Sequence, residues 1–295
     1  MSTIVEYKQQ ITLSYYAKDA EVYRSPLDDT PYLKEPGVVL LAQTATYLEP
    51  LCRFLKGLGD EFEGYLDDPV QLDAGSTLSK FAGQLCYISL GEKRSKNEDA
   101  QKYFKNIKEQ QHGSVLEHPV YTFLFYGIDR AVTHEWVRHR VGKAYSQVSQ
   151  RYVGPDKVRY VMPAEFQGDP EGEQIFFEDI QSNRTQYMRR IEYMALRQKD
   201  LPGESKTEKR KRMQGFARRA LANEVEAPIV ISGNVRAWRH VITKRAARAA
   251  DRPIRSPAAT ALQILQKVNG TAFEDFQLFE LPDGTTAAHP EFQGV

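Results

Sequence analysis

The sequence predicts an α+β fold, mainly helical, and three observations carry that reading. Short runs rich in β-branched and aromatic residues, GVVLLAQT (37–44), HPVYTFLFYG (118–127) and PIVIS (228–232), have the length and composition of strands. Longer stretches between them repeat apolar residues every three or four positions, as amphipathic helices do. Turn and breaker residues crowd SPLDDTPYLKEPG (25–37). They set off a polar N-terminal extension (1–36) from one domain of residues 37–280, which leaves 281–295 as a C-terminal tail.

In order, the extension allows one short strand through the alternation of Ile11, Leu13 and Tyr15. GVVLLAQT reads as a buried strand. TYLEPLCRFLKGL (46–58) and LSKFAGQLCYISL (78–90) read as helices from their spaced leucines and aromatics. SKNEDAQKYFKNIKEQQHG (95–113) is a polar amphipathic helix that Gly113 stops. HPVYTFLFYG follows as a strand, and IDRAVTHEWVRHR (128–140) as a helix with Arg138, His139 and Arg140 at its C-terminal end. Residues 174–199 form a long helix carrying Ile175, Phe176, Ile180, Tyr187, Ile191 and Met194. KTEKRKRMQGFARRAL (206–221) is a basic helix, PIVIS a strand, and Asn234 the N-cap of the helix VRAWRHVITKRAARAA (235–250).

A formal net charge of +1 over 295 residues argues against duplex DNA or an anionic membrane as a bulk electrostatic partner. No apolar run approaches the ~20 residues that span a bilayer, and the N-terminus lacks a signal peptide's apolar stretch. With Cys52 and Cys86 its only cysteines, the chain is expected in a reducing cytoplasm, without a zinc framework. Cys86, in the apolar segment FAGQLCYISL, is expected to be buried.

Three motifs offer chemistry. His134 and His139 are five residues apart, where the helical zinc motif needs four, so no metal is expected. KTEKRKR (206–212) holds five basic residues in seven. It reads as a solvated helix face, with nucleic-acid binding as the sharper alternative. RHRVGKAYSQVSQRY (138–152) differs because other Arg and His residues accompany it: His118, Arg218, Arg219, Arg236, His240 and Arg245. Arg236 and His240 share a helix face. With no GxGxxG and no GxxxxGK, an anion would be held by side chains, and arginine forks suit phosphates and carbonyl edges.

LEHPVYTFLF, THEWVRHR, YSQVSQRYV and NEVEAPIVISGNVRAWRHVITKR, in that order, make residues 37–280 resemble the flavin-dependent thymidylate synthases. The resemblance implies that family's fold, with a central β-sheet, and a homotetramer whose sites draw on several chains. It implies FAD as cofactor, with methylenetetrahydrofolate and NAD(P)H as co-substrates, and C5-methylation of dUMP to dTMP. Reduced flavin would supply hydride and relay the one-carbon unit, so no protein thiol is needed. By position, Ser89, His118, Arg138, His139, Arg140, Asn234, Arg236 and His240 would contact FAD, with Ser89 at its phosphates. Glu135, Gln147, Ser149, Gln150, Arg151 and Arg218 would hold the nucleotide, with Ser149, Arg151 and Arg218 at its phosphate. Arg245 would hold the pyrimidine and act in catalysis.

Two departures touch the substrate. Eight residues separate RHR from Ser149, where the commonest family form has seven, and Gly142 is expected to absorb the extra one in a turn. Ala222 stands where the family usually has proline. They leave open a UMP C5-methylase, or a hydroxymethylase, of a nucleoside-antibiotic or modified-nucleotide pathway. An alternative of another class is a non-catalytic RNA- or nucleotide-binding protein. The longer loop is expected to let UMP be tolerated beside dUMP.

Overall fold

A computed structural model describes residues 16–154, 157–197 and 201–295. The alternation at Ile11, Leu13 and Tyr15 lies outside the described residues. The described chain begins with β1 (Ala17–Lys18), β2 (Val22–Arg24), β3 (Pro31–Leu33) and β4 (Gly37–Gln43). Helices α1 (Leu48–Leu58), α2 (Ala74–Leu85) and α3 (Ala100–Glu109) lead to β5 (Val120–Tyr126). Next come α4 (Arg130–Trp136), β6 (Lys143–Gln147), β7 (Tyr160–Val161), α5 (Pro170–Arg197) and α6 (Lys206–Ala217). The chain closes with β8 (Ile229–Asn234), α7 (Val235–Arg245), α8 (Arg252–Val268), α9 (Gly270–Phe273), β9 (Phe276–Glu280) and β10 (Thr286–Pro290).

One antiparallel sheet, in the order β1-β4-β5-β8-β6, organises the molecule. Along β5 one side chain in two is buried; Tyr121, Phe123 and Phe125 face the core, as the pleat requires. Trp136 from α4 meets Phe125 edge-on at 4.1 Å, and Trp238 from α7 meets Phe123 at 5.1 Å. The two helices that carry the Arg/His motifs are thereby locked to the same strand. A second core forms where Phe176, Phe177 and Ile180 of α5 pack on Tyr32 and Tyr160 from the small sheet β2-β3-β7.

Residues 17–33, read from the sequence as part of an extension, pair with the domain: Ala17 with Val39, and Tyr32 with Tyr160. Residues 286–290, read as tail, pair with β9. The tail is also held from inside. Arg239 of α7 is fully buried, donates to both oxygens of Asp275, and donates to the carbonyls of Ala272, Phe292 and Val295. One side chain thus fixes α7 to the C-terminus.

Several expectations need correction. GVVLLAQT is buried only in its first half, because β1 covers just Val38 and Val39; a register shift follows at Leu40 and Ala42, and Leu41 is exposed. The helix expected to run to Leu90 ends at Leu85, and a turn with Ile88 at φ +50° follows. That turn carries Cys86, which is exposed rather than buried. The helix expected to reach Ala250 ends at Arg245. Segment 143–147, not read as a strand, forms β6. KTEKRKR is the helix α6, capped by Ser205 and Glu208 in a reciprocal capping box.

Candidate active site

The site is built at the end of α4. Asp129 caps that helix by accepting from Val132 N at 2.9 Å. The helix stops at the buried Trp136, and Arg138, His139 and Arg140 lie just beyond it. The hydroxyl of Tyr145, reaching from β6, donates to the carbonyls of Trp136 and His139 and so fixes that exit. Gly142 makes the turn at φ +69°; a Cβ there would lie 2.9 Å from Asn234 Nδ2, so the position suits glycine alone.

Alternate residues of β6 face the helices. Gln147 donates to Thr133 Oγ1 at 3.0 Å and lines a cleft of about 580 Å³ with Arg130, His134 and Asn223. From β8 the chain enters α7, where Asn234 accepts from Ala237 N at 2.8 Å as the expected N-cap. Arg245, at the end of α7, reaches back to the end of α4. Its Nε donates to His139 Nε2 at 3.0 Å and its Nη1 pairs with Glu135. Its Nη2 makes no hydrogen bond among the described residues.

This contact fixes a protonation state. His139 Nε2 can accept only if the ring is neutral, with its proton on Nδ1. Burial, then the charges of Arg245, Lys143, His240 and Lys244, push the His139 pKa down to about 4. His240, whose ring centre lies 5.4 Å from that of His139, is also lowered, by burial and then by Lys143 and Lys244. Near neutral pH the pair is therefore uncharged, and Nδ1–H of His139 is a donor.

The remaining expected residues fall into five places. Arg236 pairs with the exposed Glu117 at 2.6 Å, beside exposed His118. Arg138 approaches His134 Nε2 at 3.2 Å, and Arg140 is exposed. In the turn after β6, Ser149 Oγ accepts from Arg151 N at 3.3 Å; Arg151 is exposed, while Gln150 is buried with no partner for its Nε2. A buried unpaired amide costs about 1–3 kcal/mol, so this donor suits a ligand or neighbouring chain that brings an acceptor. Arg218 is exposed at the end of α6. Ser89 sits in the turn after α2, its hydroxyl donating to Gln84 O, and no contact among the described residues joins it to the Arg/His cluster. One chain therefore assembles Glu135, His139, His240 and Arg245, and no contact among the described residues joins Ser89, Arg151 or Arg218 to them.

Sequence reasoning missed Lys143, which lies beside this cluster. The signal was its place between Gly142 and Tyr145, in a segment alternating toward the helices. It also missed a cavity of about 570 Å³ that opens at Asp129 and Val132, the other end of α4, against Arg252 and Thr285.

Both cysteines are exposed, and neither touches the cluster. The double variant Cys52→Ser, Cys86→Ser is expected to keep its turnover and to lose no more than about 0.5 kcal/mol in urea unfolding. Loss of turnover in the folded double variant would point to a covalent thiol.

The chain matches the family model described as thymidylate synthase complementing protein over residues 71–269. A flavin-dependent thymidylate synthase of Mycobacterium avium (strain 104) is 39% identical over 216 residues, covering 73% of this chain and 85% of that protein. One of Mycobacterium sp. (strain JLS) is 38% identical over 235 residues, covering 77% and 91%. One of Mycobacteroides abscessus is 36% identical over 223 residues, covering 76% and 88%. Enzymes of one name, matched over most of their length, overturn the reading of a non-catalytic RNA-binding protein. This chain belongs to the flavin-dependent thymidylate synthase family.

Proposed function

We propose that this enzyme methylates dUMP at C5 to give dTMP, with FAD as cofactor and methylenetetrahydrofolate and NAD(P)H as co-substrates. The observation that carries the reading is the contact of Arg245 with Glu135 and His139, which joins the two motifs of the family match into one polar cluster. FAD, when bound, supplies the hydride and relays the one-carbon unit, chemistry for which no side chain here is equipped. His118, Arg138, His139, Arg140, Asn234, Arg236 and His240 are the residues to hold it, with His139 donating from Nδ1. Arg245 presents its Nη2, which has no hydrogen bond among the described residues, to a uracil carbonyl, where it stabilises the enolate-like negative charge that makes C5 nucleophilic. Glu135 orients that guanidinium. Gln147, Ser149, Gln150, Arg151 and Arg218 are the nucleotide's ligands, with the phosphate at Ser149 and the two arginines.

That the relatives are thymidylate synthases favours dUMP over UMP as substrate. Among the described residues no helix is long and apolar enough to cross a membrane. That no contact among the described residues joins Ser89, Arg151 or Arg218 to the Arg245 cluster fits a homotetramer whose sites are shared between chains. Mixing an Arg151→Ala chain with an Arg236→Ala chain, each inactive alone, is then expected to restore part of the activity. No recovery after proven subunit exchange would mean that each chain completes its own site.

A further inference from the structure

Lys143 opens β6 directly after the Gly142 turn, opposite Gly233 of β8. Glycine at 233 makes room for it: a Cβ there would lie 3.2 Å from Lys143 Cγ and 3.1 Å from the Trp238 indole nitrogen. The stem passes through this slot and sets the ammonium 4.4 Å from the centre of the Trp238 ring. The Lys143 ammonium makes no hydrogen bond or ion pair among the described residues, while its backbone N–H donates to Arg140 O. The groups facing it do not supply an anion. The turn after α4 brings His139, α7 brings His240 and Lys244, and β6 itself brings Tyr145, whose hydroxyl burial pushes up to about 12. Facing residues of β8 carry no charge, and Glu135 is committed to Arg245. A half-buried ammonium with no anion beside it, resting on an indole face, is stable as a cation mainly when an anion joins it.

Resting on the reading that His139 and His240 line the flavin site, we propose that Lys143 is a further cofactor-binding residue, a cation that pairs with an anionic group of the flavin cofactor. Two groups share that chemistry, the pyrophosphate of FAD and the anion of the reduced ring. Burial pushes the Lys143 pKa down to about 7 in the free chain. Binding an anion must then bring a proton with it above that pH. His139 and His240, both lowered, titrate below this window and stay neutral through it.

The test is FAD affinity of the apo-protein from pH 7 to 9, read by quenching of flavin fluorescence, with Lys143→Arg and Lys143→Met beside the unaltered chain. The unaltered protein is expected to weaken by up to about tenfold per pH unit. Lys143→Arg keeps its charge throughout, so its affinity is expected to stay flat. That variant tests the idea even if Lys143→Met does not fold. Lys143→Met losing affinity for FAD but not for riboflavin identifies the pyrophosphate as the partner. Unchanged binding of oxidised FAD with a lowered flavin reduction potential identifies the reduced ring. A Met variant equal to the unaltered protein in affinity, pH slope and potential overturns the proposal, as does an unaltered protein whose affinity and reduction potential track those of Lys143→Arg at every pH. Arg236→Ala separates the two failures. If it weakens FAD while Lys143→Met does not, only the role of Lys143 falls; if neither changes FAD binding, the flavin site itself is misplaced.

Discussion

Replacing Arg245 by methionine is expected to lower kcat for dTMP formation by about a hundredfold to a thousandfold at saturating FAD and dUMP, the usual effect of removing one donor from developing charge. The same change removes a cation that holds His139 down and takes away the donor to its Nε2. The His139 pKa, about 4 in the intact chain, should therefore rise, which an imidazole NMR titration would read. Glu135→Gln keeps a hydrogen-bond acceptor for Arg245 and should cost much less in kcat. Equal losses in the two variants would mean that the ion pair is needed for folding rather than chemistry. A kcat untouched in Arg245→Met would remove Arg245 from the reaction.

The largest stability effect is expected at Asp275, away from the site. Burial raises its pKa, but the hydrogen bonds and charge of Arg239, with Lys108 behind, outweigh burial and hold the carboxyl below its ordinary value. Lys108, 3.1 Å from Asp275, is itself lowered, because burial outweighs its attraction to a carboxylate already engaged by Arg239. Arg239 is thus the partner that matters. A carboxyl lowered in the folded state gives stability that is complete above its unfolded pKa of about 3.9 and disappears as pH falls through the lower folded value. Asp275→Asn leaves Arg239 buried without its anion. It should cost about 3–5 kcal/mol at pH 7 in urea unfolding and flatten the acid limb of the stability curve. A loss within 0.5 kcal/mol, about that of an ordinary surface change, would show that the pair contributes little.

Much of the frame was legible because it is local. The runs at 37–43, 120–126 and 229–234 are strands, and Asn234 caps α7, since composition and capping chemistry act within a few residues. What escaped was decided at long range. The end of α4 depends on Tyr145, and β6 exists because β8 offers it an edge. The exposure of Cys86 follows from a turn that apolar composition does not announce. The Arg/His cluster was foreseen as a set, but the bond from Arg245 to His139 joins residues 106 apart and leaves no trace in spacing. Lys143 was hidden for the same reason.

The structure also changes how the longer loop must be tested. Only Val141 and Gly142 lie in the turn; Lys143 and Ala144 already pair with β8. Deleting either of those would shift β6 by one residue and turn Tyr145 and Gln147 to the wrong face. Deleting Val141, which is 92% exposed, shortens the turn alone. If the turn sets tolerance of the ribose hydroxyl, that variant should turn over UMP less well relative to dUMP.

The most direct test of the account is the product itself. The purified enzyme is given FAD, NADPH and methylenetetrahydrofolate, with dUMP and UMP in equal amounts, and the nucleotides are separated after reaction. The expected main product is dTMP, dependent on added or bound FAD and retained in the cysteine-free variant, with methylated UMP as a slower second product. Methylated UMP as the main product, or no dTMP from a folded, FAD-loaded enzyme, would contradict it.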